Sequence, residues 1–160
     1  MRKATPARTP AAPKPTLLER LELRPYTTAD RAACQRIAGS STDYGHAVDA
    51  NADAIEVAVL DGAVVGFAYI QVWSWNRVGW LGDIVIQHEK RNQGIGGRLL
   101  RRIEERARDL GCRVVMDHPP VNHPAIGYYL KRGYRICGYN DRFFADSKET
   151  TAIFVCKELS

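Results

Sequence analysis

The stretch that most constrains the fold runs from Asp83 to Gly97, DIVIQHEKRNQGIGG. An apolar run typical of a strand gives way to charged residues, and three glycines then occupy four consecutive positions. An apolar stripe at helical spacing follows directly and predicts a long helix that ends at Gly111. The stripe consists of Ile95, Leu99, Ile103, Ala107 and Leu110.

The glycines of this stretch indicate a site for an anion. The backbone N–H groups at the start of a helix lack intrahelical partners and point towards a common site. Glycines at 94 and 96 leave room for an anion there, and the helix dipole adds to the attraction. The spacing matches neither a Walker loop nor the dinucleotide fingerprint. We therefore predict a site for another phosphate-bearing ligand, with a tight turn for packing as the alternative.

The rest of the chain alternates strands and helices. Before the glycine stretch, a helix pattern occurs in TTADRAACQRIAG, and strand patterns occur in LELRPY, AIEVAVL, AVVGFAYIQVW and VGWLGDIVI. A hairpin turn is predicted at Asp61 and Gly62. After it, a helix pattern occurs in PAIGYYLKRG, and strand patterns occur in CRVVMD, YRICGY and TTAIFVCKEL. This order predicts an α/β fold with a mixed sheet, one half built from hairpins and the other from a crossover.

The composition fits one folded domain. A chain of 160 residues, 45% of them hydrophobic, can bury one core but is short for two. Residues 1–18 are basic, rich in Pro and Ala and free of acids, and we predict a disordered tail there, followed by a domain over 19–160. No apolar run approaches the roughly 20 residues of a membrane span, and no secretory signal is evident, so we expect a cytoplasmic protein without a membrane partner.

The charge pattern argues against a nucleic-acid partner despite a net charge of +5. The segment 90–113 is strongly basic, whereas no Lys or Arg lies between Arg36 and Arg77. Such segregation suits a protein that holds an anion at one site and a cation at another, although solvated faces can cluster in the same way. The acids within the segment that lacks cations are Asp43, Asp49, Asp53, Glu56 and Asp61.

Neither a disulfide framework nor a metal site is expected. The residues Asp117, His118 and His123 do not have the spacing of a known metal site, so we predict none. The cysteines show no paired spacing and lie beside no motif that would activate a thiol, which predicts reduced, non-catalytic side chains at Cys34, Cys112, Cys137 and Cys156.

Two motifs resemble those of the Gcn5-related N-acetyltransferase (GNAT) superfamily. Residues 91–96, RNQGIG, have the form [RQ]-x-x-G-x-[GA], and residues 125–134, AIGYYLKRGY, resemble the later A-I-x-F-Y-x-K-x-G-F helix. The order of elements agrees from residue 21 to 158. The resemblance implies a single-domain GNAT fold over 19–160, with a mixed, mostly antiparallel central sheet and helices on both faces. It also implies acetyl-CoA as the cosubstrate.

The resemblance further implies the residues that bind acetyl-CoA. In the superfamily the glycine loop takes the pyrophosphate through main-chain N–H groups, and the preceding strand accepts the pantetheine arm. Ile86 falls where the main chain binds pantetheine, and Asn122 matches an Asn that touches the same arm, although Asn122 could equally cap the next helix. The implied loop residues are Arg91, Gln93, Gly94, Ile95, Gly96, Gly97 and Arg98.

Tyr129 and Asp83 are the implied catalytic residues. Tyr129 matches a Tyr whose hydroxyl approaches the CoA sulfur in many members, whereas Tyr128 is expected to point elsewhere because it lies on another helix face. The strand GWLGDIVI resembles I-E-D-I-x-V, with Gly82 in place of the Glu. Since adjacent strand residues face opposite sides, Asp83 is either the base or a structural residue, and His88 is a weaker alternative.

The acceptor is expected to be a small cationic amine. The final segment, YRICGYNDRFF followed by TTAIFVCKEL, is loosely similar to streptothricin-type and other small-molecule amine acetyltransferases, and the acids around Asp49 suit a cation. Without an activated cysteine, the amine should attack acetyl-CoA directly in a ternary complex. A protein lysine or N-terminal acetyltransferase and a non-catalytic acyl-CoA-binding module are the alternatives. The three tryptophans of the hairpin region would form either a cation–π wall for the acceptor, or core or homodimer contacts. They are Trp73, Trp75 and Trp80.

Overall fold

The computed structural model describes residues 14–39 and 52–160 of the chain. The described strands are β1 (Leu21–Pro25), β2 (Ala54–Leu60), β3 (Ala63–Trp73), β4 (Val78–Ile86), β5 (Val114–Asp117), β6 (Arg135–Asn140) and β7 (Ala152–Glu158). The described α-helices are α1 (Arg31–Ala38), α2 (Ile95–Asp109) and α3 (Ala125–Leu130).

The described strands form a single sheet in the order β1-β2-β3-β4-β5-β7-β6. The first four strands are antiparallel neighbours, and Asp61 and Gly62 turn the chain between β2 and β3 with φ of 52° and 81°. Helix α2 then crosses to β5, which pairs parallel with β4, and β7 lies antiparallel between β5 and β6. The predicted mixed, mostly antiparallel sheet with a hairpin half and a crossover half is confirmed.

Each face of the sheet carries a helix, as predicted. On one face, which we call the α2 face, Leu99 and Ile103 of α2 pack against sheet residues such as Leu81 and Val115. Helix α3 contributes Tyr129 to the same core. On the opposite face, which we call the α1 face, a second core forms around Cys34, Ala38, Val57, Val59, Phe67, Tyr69 and Val85.

A buried carboxylate anchors α2 to the sheet. Glu56 of β2 is 1% exposed, and its two oxygens lie 3.1 Å from Nε of Arg102 and 3.2 Å from Nε of Arg106. A buried charge is tolerated only when it is paired, and two guanidinium groups from successive turns of α2 meet that requirement here. The ion pairs therefore fix the rotation of α2 on the sheet, and with it the direction of its first turn.

Strand β4 contains a bulge at Gly82. Leu81 pairs with Ile70 and Asp83 pairs with Tyr69, so Gly82 is an extra residue without an opposite partner. A side chain at Gly82 would overlap the ring of Tyr69, which makes glycine necessary at this position. Because of the extra residue, Asp83 shares the α1 face with Tyr69.

The pairing of β4 with β5 ends just before the bulge. Their parallel pairing runs from Val78 and Val114 to Trp80 and Met116, whereas β4 continues to Ile86. The second half of β4 thus has a hydrogen-bonded neighbour, β3, on one side only. We call this interruption of the pairing, beside Asp83 and Asp117, the β4–β5 gap.

Candidate active site

The first turn of α2 presents its backbone N–H groups at the end of β4. Gly94 has a φ of 85°, and its carbonyl accepts the N–H of Arg98 at 3.3 Å, so the N–H groups of residues 95–97 precede the first intrahelical bond. The loop before the helix is held by the side chain of Gln93, which donates to the Glu89 carbonyl at 3.0 Å. The glycine stretch therefore forms the predicted arrangement of strand, turn and helix.

Gly96 and Gly97 of this turn face side chains of α3 and the residues after it. A Cβ at Gly96 would lie 3.4 Å from the Tyr128 hydroxyl and 3.8 Å from Cγ1 of Ile86, and a Cβ at Gly97 would lie 3.2 Å from the Arg132 guanidinium. The Tyr128 hydroxyl is buried and has no hydrogen-bond partner among the described residues. An unpaired buried hydroxyl beside free N–H groups fits a polar ligand better than a purely structural turn.

A cationic recess of about 480 Å³ lies beside the first turn of α2. The Arg132 guanidinium at its edge lies 3.6 Å from the centre of the Tyr128 ring and donates to the Tyr128 carbonyl at 2.9 Å. Four cations against one acid suit a ligand with several phosphate charges. The recess is lined by Leu18, Gly94, Gly97, Arg98, Leu100, Arg101, Glu104, Arg132 and Lys157.

Three of these cations, Arg101, Arg132 and Lys157, were not among the predicted donor residues. Arg132 lies inside the second motif, directly before Gly133, and this position could have indicated a donor-site residue. Lys157 lies in β7, where nothing in the local pattern distinguishes it from a solvent-exposed strand residue. Only the sheet order, which places β7 beside β5, brings Lys157 towards α2.

The other predicted donor residues already make contacts within the chain. Nε of Arg91 donates to the Ile86 carbonyl at 3.0 Å, which links the first motif residue to the end of β4. The side-chain amide of Asn122 donates to Glu149 at 3.2 Å. The N–H of Ala125 is accepted by Nδ1 of His123 at 3.1 Å, so His123, and not Asn122, caps α3.

Asp83 and Asp117 border the β4–β5 gap from opposite sides. Asp117 pairs in register with Val155, whose side chain belongs to the α2 face, whereas Asp83 lies on the α1 face. Burial raises the pKa of Asp83 to about 6, and the charge of Asp117 adds to this effect. Burial likewise raises the pKa of Asp117, although Tyr129 and the N–H of His118, which donates at 2.7 Å, oppose the shift. The gap therefore holds two interacting carboxyl groups.

The phenol of Tyr129 lies on the α2 side of this gap. Tyr129 is buried, and burial raises its pKa well above the usual range, as does the nearby Asp117, which accepts a hydrogen bond from the hydroxyl. Burial raises the pKa of Tyr69 to about 12, and the charges of Asp83 and then of Asp117 add to this effect. From the sequence, Asp117 is considered only as a metal ligand and rejected in that role, although its place at the end of a strand could have indicated a site residue.

The expectation that only one of the two tyrosines of α3 points inward is wrong. The rings of Tyr128 and Tyr129 lie 5.3 Å apart with an interplanar angle of 82°, and both pack against the core of the α2 face. Helix α3 is only six residues long and has α2 beside it as well as the sheet, so neighbouring side chains, about 100° apart on the helix, both find a protein surface. Tyr128 faces Gly96, and Tyr129 faces Asp117.

Several weaker candidates lie apart from this arrangement. His88 is exposed in a 3-10 turn beyond the end of β4. Asp43 and Asp49 lie outside the described residues, and Asp53 accepts the N–H of Val72 at 2.5 Å. The described residues contain no group of three or more side chains that could hold a metal ion.

The cysteine side chains are unsuited to carry an acetyl group. All four are thiols, and only Cys137 is exposed. Burial raises the pKa of Cys112, and burial followed by Cys156 raises that of Cys137 to about 11. Thiolates are therefore scarce at neutral pH.

Comparison with known proteins identifies the family of this chain. Residues 17–134 match the family model described as the acetyltransferase (GNAT) family. The chain belongs to this family. The predicted superfamily is thus confirmed, together with the acetyltransferase class that its name states.

Two relatives of the GNAT chain have stated activities. Streptothricin acetyltransferase from Streptomyces lavendulae is 29% identical over 103 residues, which cover 64% of this chain and 54% of that protein. The chain therefore matches about half the length of that relative. Glucosamine 6-phosphate N-acetyltransferase 1 from Oryza sativa subsp. japonica is 30% identical over 121 residues, which cover 74% of this chain and 70% of that protein.

A solved structure of a GNAT family acetyltransferase from Elizabethkingia anophelis, with acetyl-CoA bound, has the same fold. It superposes with a TM-score of 0.75 at 18% identity, covering 88% of this chain and 99% of that one. The predicted fold is confirmed, and the ligand of that structure agrees with the predicted cosubstrate. Separately, no helix in the described part of this chain is both long and apolar enough to cross a membrane.

Proposed function

We propose that this GNAT protein is an N-acetyltransferase that moves the acetyl group of acetyl-CoA to a primary amine of a small cationic molecule. The observation that carries the proposal is the β4–β5 gap. At this gap, β4 carries Asp83 on the α1 face and then leads to the glycine turn and the cationic recess of the α2 face. A donor held on one face and an acceptor on the other can meet only at this gap.

Acetyl-CoA fits the groups at the start of α2. Main-chain N–H groups of residues 95–97 would take the pyrophosphate, with Arg91, Gln93 and the glycines shaping the loop. Arg98 and Arg132 supply positive charge, and the unpaired Tyr128 hydroxyl offers a hydrogen bond. Bound there, the donor supplies an activated thioester and a thiol leaving group. Ile86 and Asn122 would contact the pantetheine arm.

Asp83 acts as the general base in this proposal. Its pKa of about 6 leaves it ionised at neutral pH and still basic enough to accept a proton from the amine. The bulge at Gly82 turns its carboxylate towards the α1 face, from which the acceptor would approach. The amine nitrogen then forms a bond to the acetyl carbon while the bond from that carbon to sulfur breaks, and Asp83 holds the proton that the nitrogen loses.

Tyr129 acts as the general acid. Its raised pKa keeps the phenol protonated at neutral pH, so a proton is available when the thiolate leaves. A CoA thiolate is a stronger base than the Asp117 carboxylate, and the phenol can therefore turn from Asp117 to the sulfur as negative charge develops. The direct transfer requires no acetylated side chain.

The acceptor class rests on the relatives and on charge. The two relatives are named for acetylating small amines, streptothricin and glucosamine 6-phosphate. The carboxyl groups of Asp83 and Asp117 at the gap favour an ammonium group over an anion. The thiol state of the cysteines fits a reducing compartment, which supports the cytoplasm as the location.

A screen of amine acceptors tests the proposal. The purified chain is mixed with acetyl-CoA and a panel of monoamines, diamines, aminosugars and lysine peptides, and release of the CoA thiol is followed together with the mass of the product. We expect an acetylated small amine as the main product. Turnover confined to peptides would replace this proposal with a protein acetyltransferase, and tight acetyl-CoA binding without any turnover would indicate a non-catalytic module.

A further inference from the structure

We propose that an aromatic wall on the α1 face binds the body of the acceptor, and that the acceptor is a primary amine joined by a short chain to a flat unsaturated ring. This inference rests on the proposed N-acetyltransferase function and specifies its substrate class. The aromatic wall consists of Trp73, Trp80, His118, Phe143, Phe144 and Phe154.

Trp80 is the centre of the aromatic wall. Its ring stacks on that of Trp73 at 5.1 Å with an interplanar angle of 10°, and it lies 5.0 Å from the His118 ring. Phe143 lies 4.4 Å from His118 and 6.5 Å from Trp80, nearly parallel to the indole at 18°. Phe154 meets Trp80 edge-on at 5.9 Å. The rings come from β3, β4, β7 and two loops, and so form one continuous surface.

The aromatic wall continues directly into the catalytic gap. Trp80 pairs with Gln71, and Asp83 pairs with Tyr69, so Trp80 and Asp83 share the α1 face of β4. At the other side of the gap, His118 follows Asp117 in the chain. A molecule lying on these rings thus has its end beside both carboxyl groups. This continuity identifies the acceptor, and not a partner protein, as the occupant.

The surface of the wall remains partly open, and its histidine ring is neutral. Trp73 and Phe143 are 42% and 37% exposed, although a self-contained aromatic core would bury both. Burial lowers the pKa of His118 to about 4, so its ring is neutral at physiological pH and does not repel an ammonium group. Its Nδ1 is buried without a hydrogen-bond partner among the described residues. An aromatic face and a neutral imidazole favour a flat ring over a polyhydroxylated sugar.

The spacing limits the length of the acceptor. Trp80 and Asp83 are three positions apart in β4, which corresponds to about 7–10 Å along a strand that contains a bulge. An ammonium group must lie within hydrogen-bond reach of Asp83 while the ring lies against Trp80 or Phe143. A linker of about two or three carbon atoms spans the remaining distance, given carbon–carbon bonds of about 1.5 Å.

Matched acceptors test the inference on the unmodified protein. We expect kcat/KM for 2-phenylethylamine and tryptamine to exceed that for 2-cyclohexylethylamine by about fivefold, because ring stacking contributes about 1 kcal/mol beyond area burial. Butylamine, spermidine and glucosamine should be poorer still. Equal or faster turnover of the non-aromatic amines would overturn the inference and leave the N-acetyltransferase function intact. No turnover of any amine would overturn both.

Variants of the aromatic wall give an independent reading. Trp80→Leu and the milder Phe143→Leu should raise KM for the aryl amines about tenfold or more, with little change in KM for butylamine. Trp75→Leu is the control, since Trp75 is 82% exposed at the β3–β4 turn and makes no ring contact with the wall among the described contacts. Unchanged selectivity for aryl amines in Phe143→Leu would overturn the inference. A variant that changes the oligomeric mass but keeps the selectivity would also overturn it, because the wall would then be a contact between copies of the chain.

Discussion

The first prediction concerns Gly96 and the binding of acetyl-CoA. A side chain here would point at the Tyr128 hydroxyl and occupy the space in front of the free N–H groups of α2. We expect Gly96→Val to raise the Kd for acetyl-CoA at least tenfold, measured by isothermal titration calorimetry.

Gly127→Val is the matched control for Gly96→Val. A Cβ at Gly127 meets nothing within 4 Å, so this variant adds the same side chain to a helix away from the glycine turn. Its Kd should equal that of the parent chain. Parent-like affinity in a folded Gly96→Val protein would remove the start of α2 from the donor site.

The second prediction separates binding from chemistry with the adjacent tyrosines of α3. Tyr129→Phe removes a proton donor that acts in the transition state, so kcat should fall roughly 10- to 1000-fold while the Kd for acetyl-CoA stays nearly constant. Tyr128→Phe should do the reverse, because its hydroxyl lies beside Gly96 on the donor path: Kd should rise severalfold with a smaller effect on kcat. Calorimetry and saturating-substrate rates measure both quantities. If Tyr129→Phe keeps the parent rate with chemistry limiting, Tyr129 is a packing residue.

The third prediction concerns the titration of Asp83. Because the base must be ionised, kcat/KM should rise as the pH increases through about 6, and Asp83→Asn should lose most activity along with this acid limb. The raised pKa has the opposite consequence for stability: the folded state favours the protonated form, so the contribution of Asp83 is best at low pH and weakens as the pH rises from about 4 to about 6. Asp83→Asn should therefore gain stability relative to the parent above pH 6, measured by urea unfolding. If kcat/KM of the variant falls at low pH as it does in the parent, the general base is a different residue.

At the scale of elements, the sequence patterns predicted the strands and helices and the turns between them. The Asp61-Gly62 hairpin, the apolar stripe of α2 and the stop at Gly111 all depend on local periodicity and on glycine, which the sequence displays. The bulge at Gly82 was not predictable in this way. Strict alternation left the direction of Asp83 open, and only the register against β3 resolves it.

The fourth prediction tests the bulge. In Gly82→Ala the new methyl group would overlap the Tyr69 ring, so β4 must shift, and we expect a loss of roughly 1–3 kcal/mol in unfolding free energy together with reduced activity. Chemical denaturation measures the first effect. Combining Gly82→Ala with Tyr69→Ala removes the overlapping ring, and the two losses should then be less than additive. Additive losses would show that the ring does not set the requirement for glycine.

At the scale of the whole molecule, the sheet separates two kinds of chemistry. Cations and free N–H groups collect on the α2 face, and Asp83 lies with the aromatic wall on the α1 face. The charge segregation along the sequence does not account for this division, because Glu56 pairs with Arg102 of α2 and Asp61 pairs with Arg20. The partners themselves could not be predicted, because Arg132, Lys157 and Asp117 come from separate elements that meet only through the order of the sheet. Long-range neighbours of this kind leave no local pattern.

The last prediction follows from this division into faces. If donor and acceptor approach the β4–β5 gap from opposite sides, both can be bound at once and the acetyl group passes directly between them. Initial rates at varied acetyl-CoA and amine should then give intersecting double-reciprocal lines. The raised pKa of Cys112 and of Cys137 argues against an acetyl-enzyme, so Cys112→Ser and Cys137→Ser should keep most of the parent kcat. Parallel lines, or an isolated acetyl-cysteine that transfers its group to the amine, would require a two-step reaction and a different use of the gap.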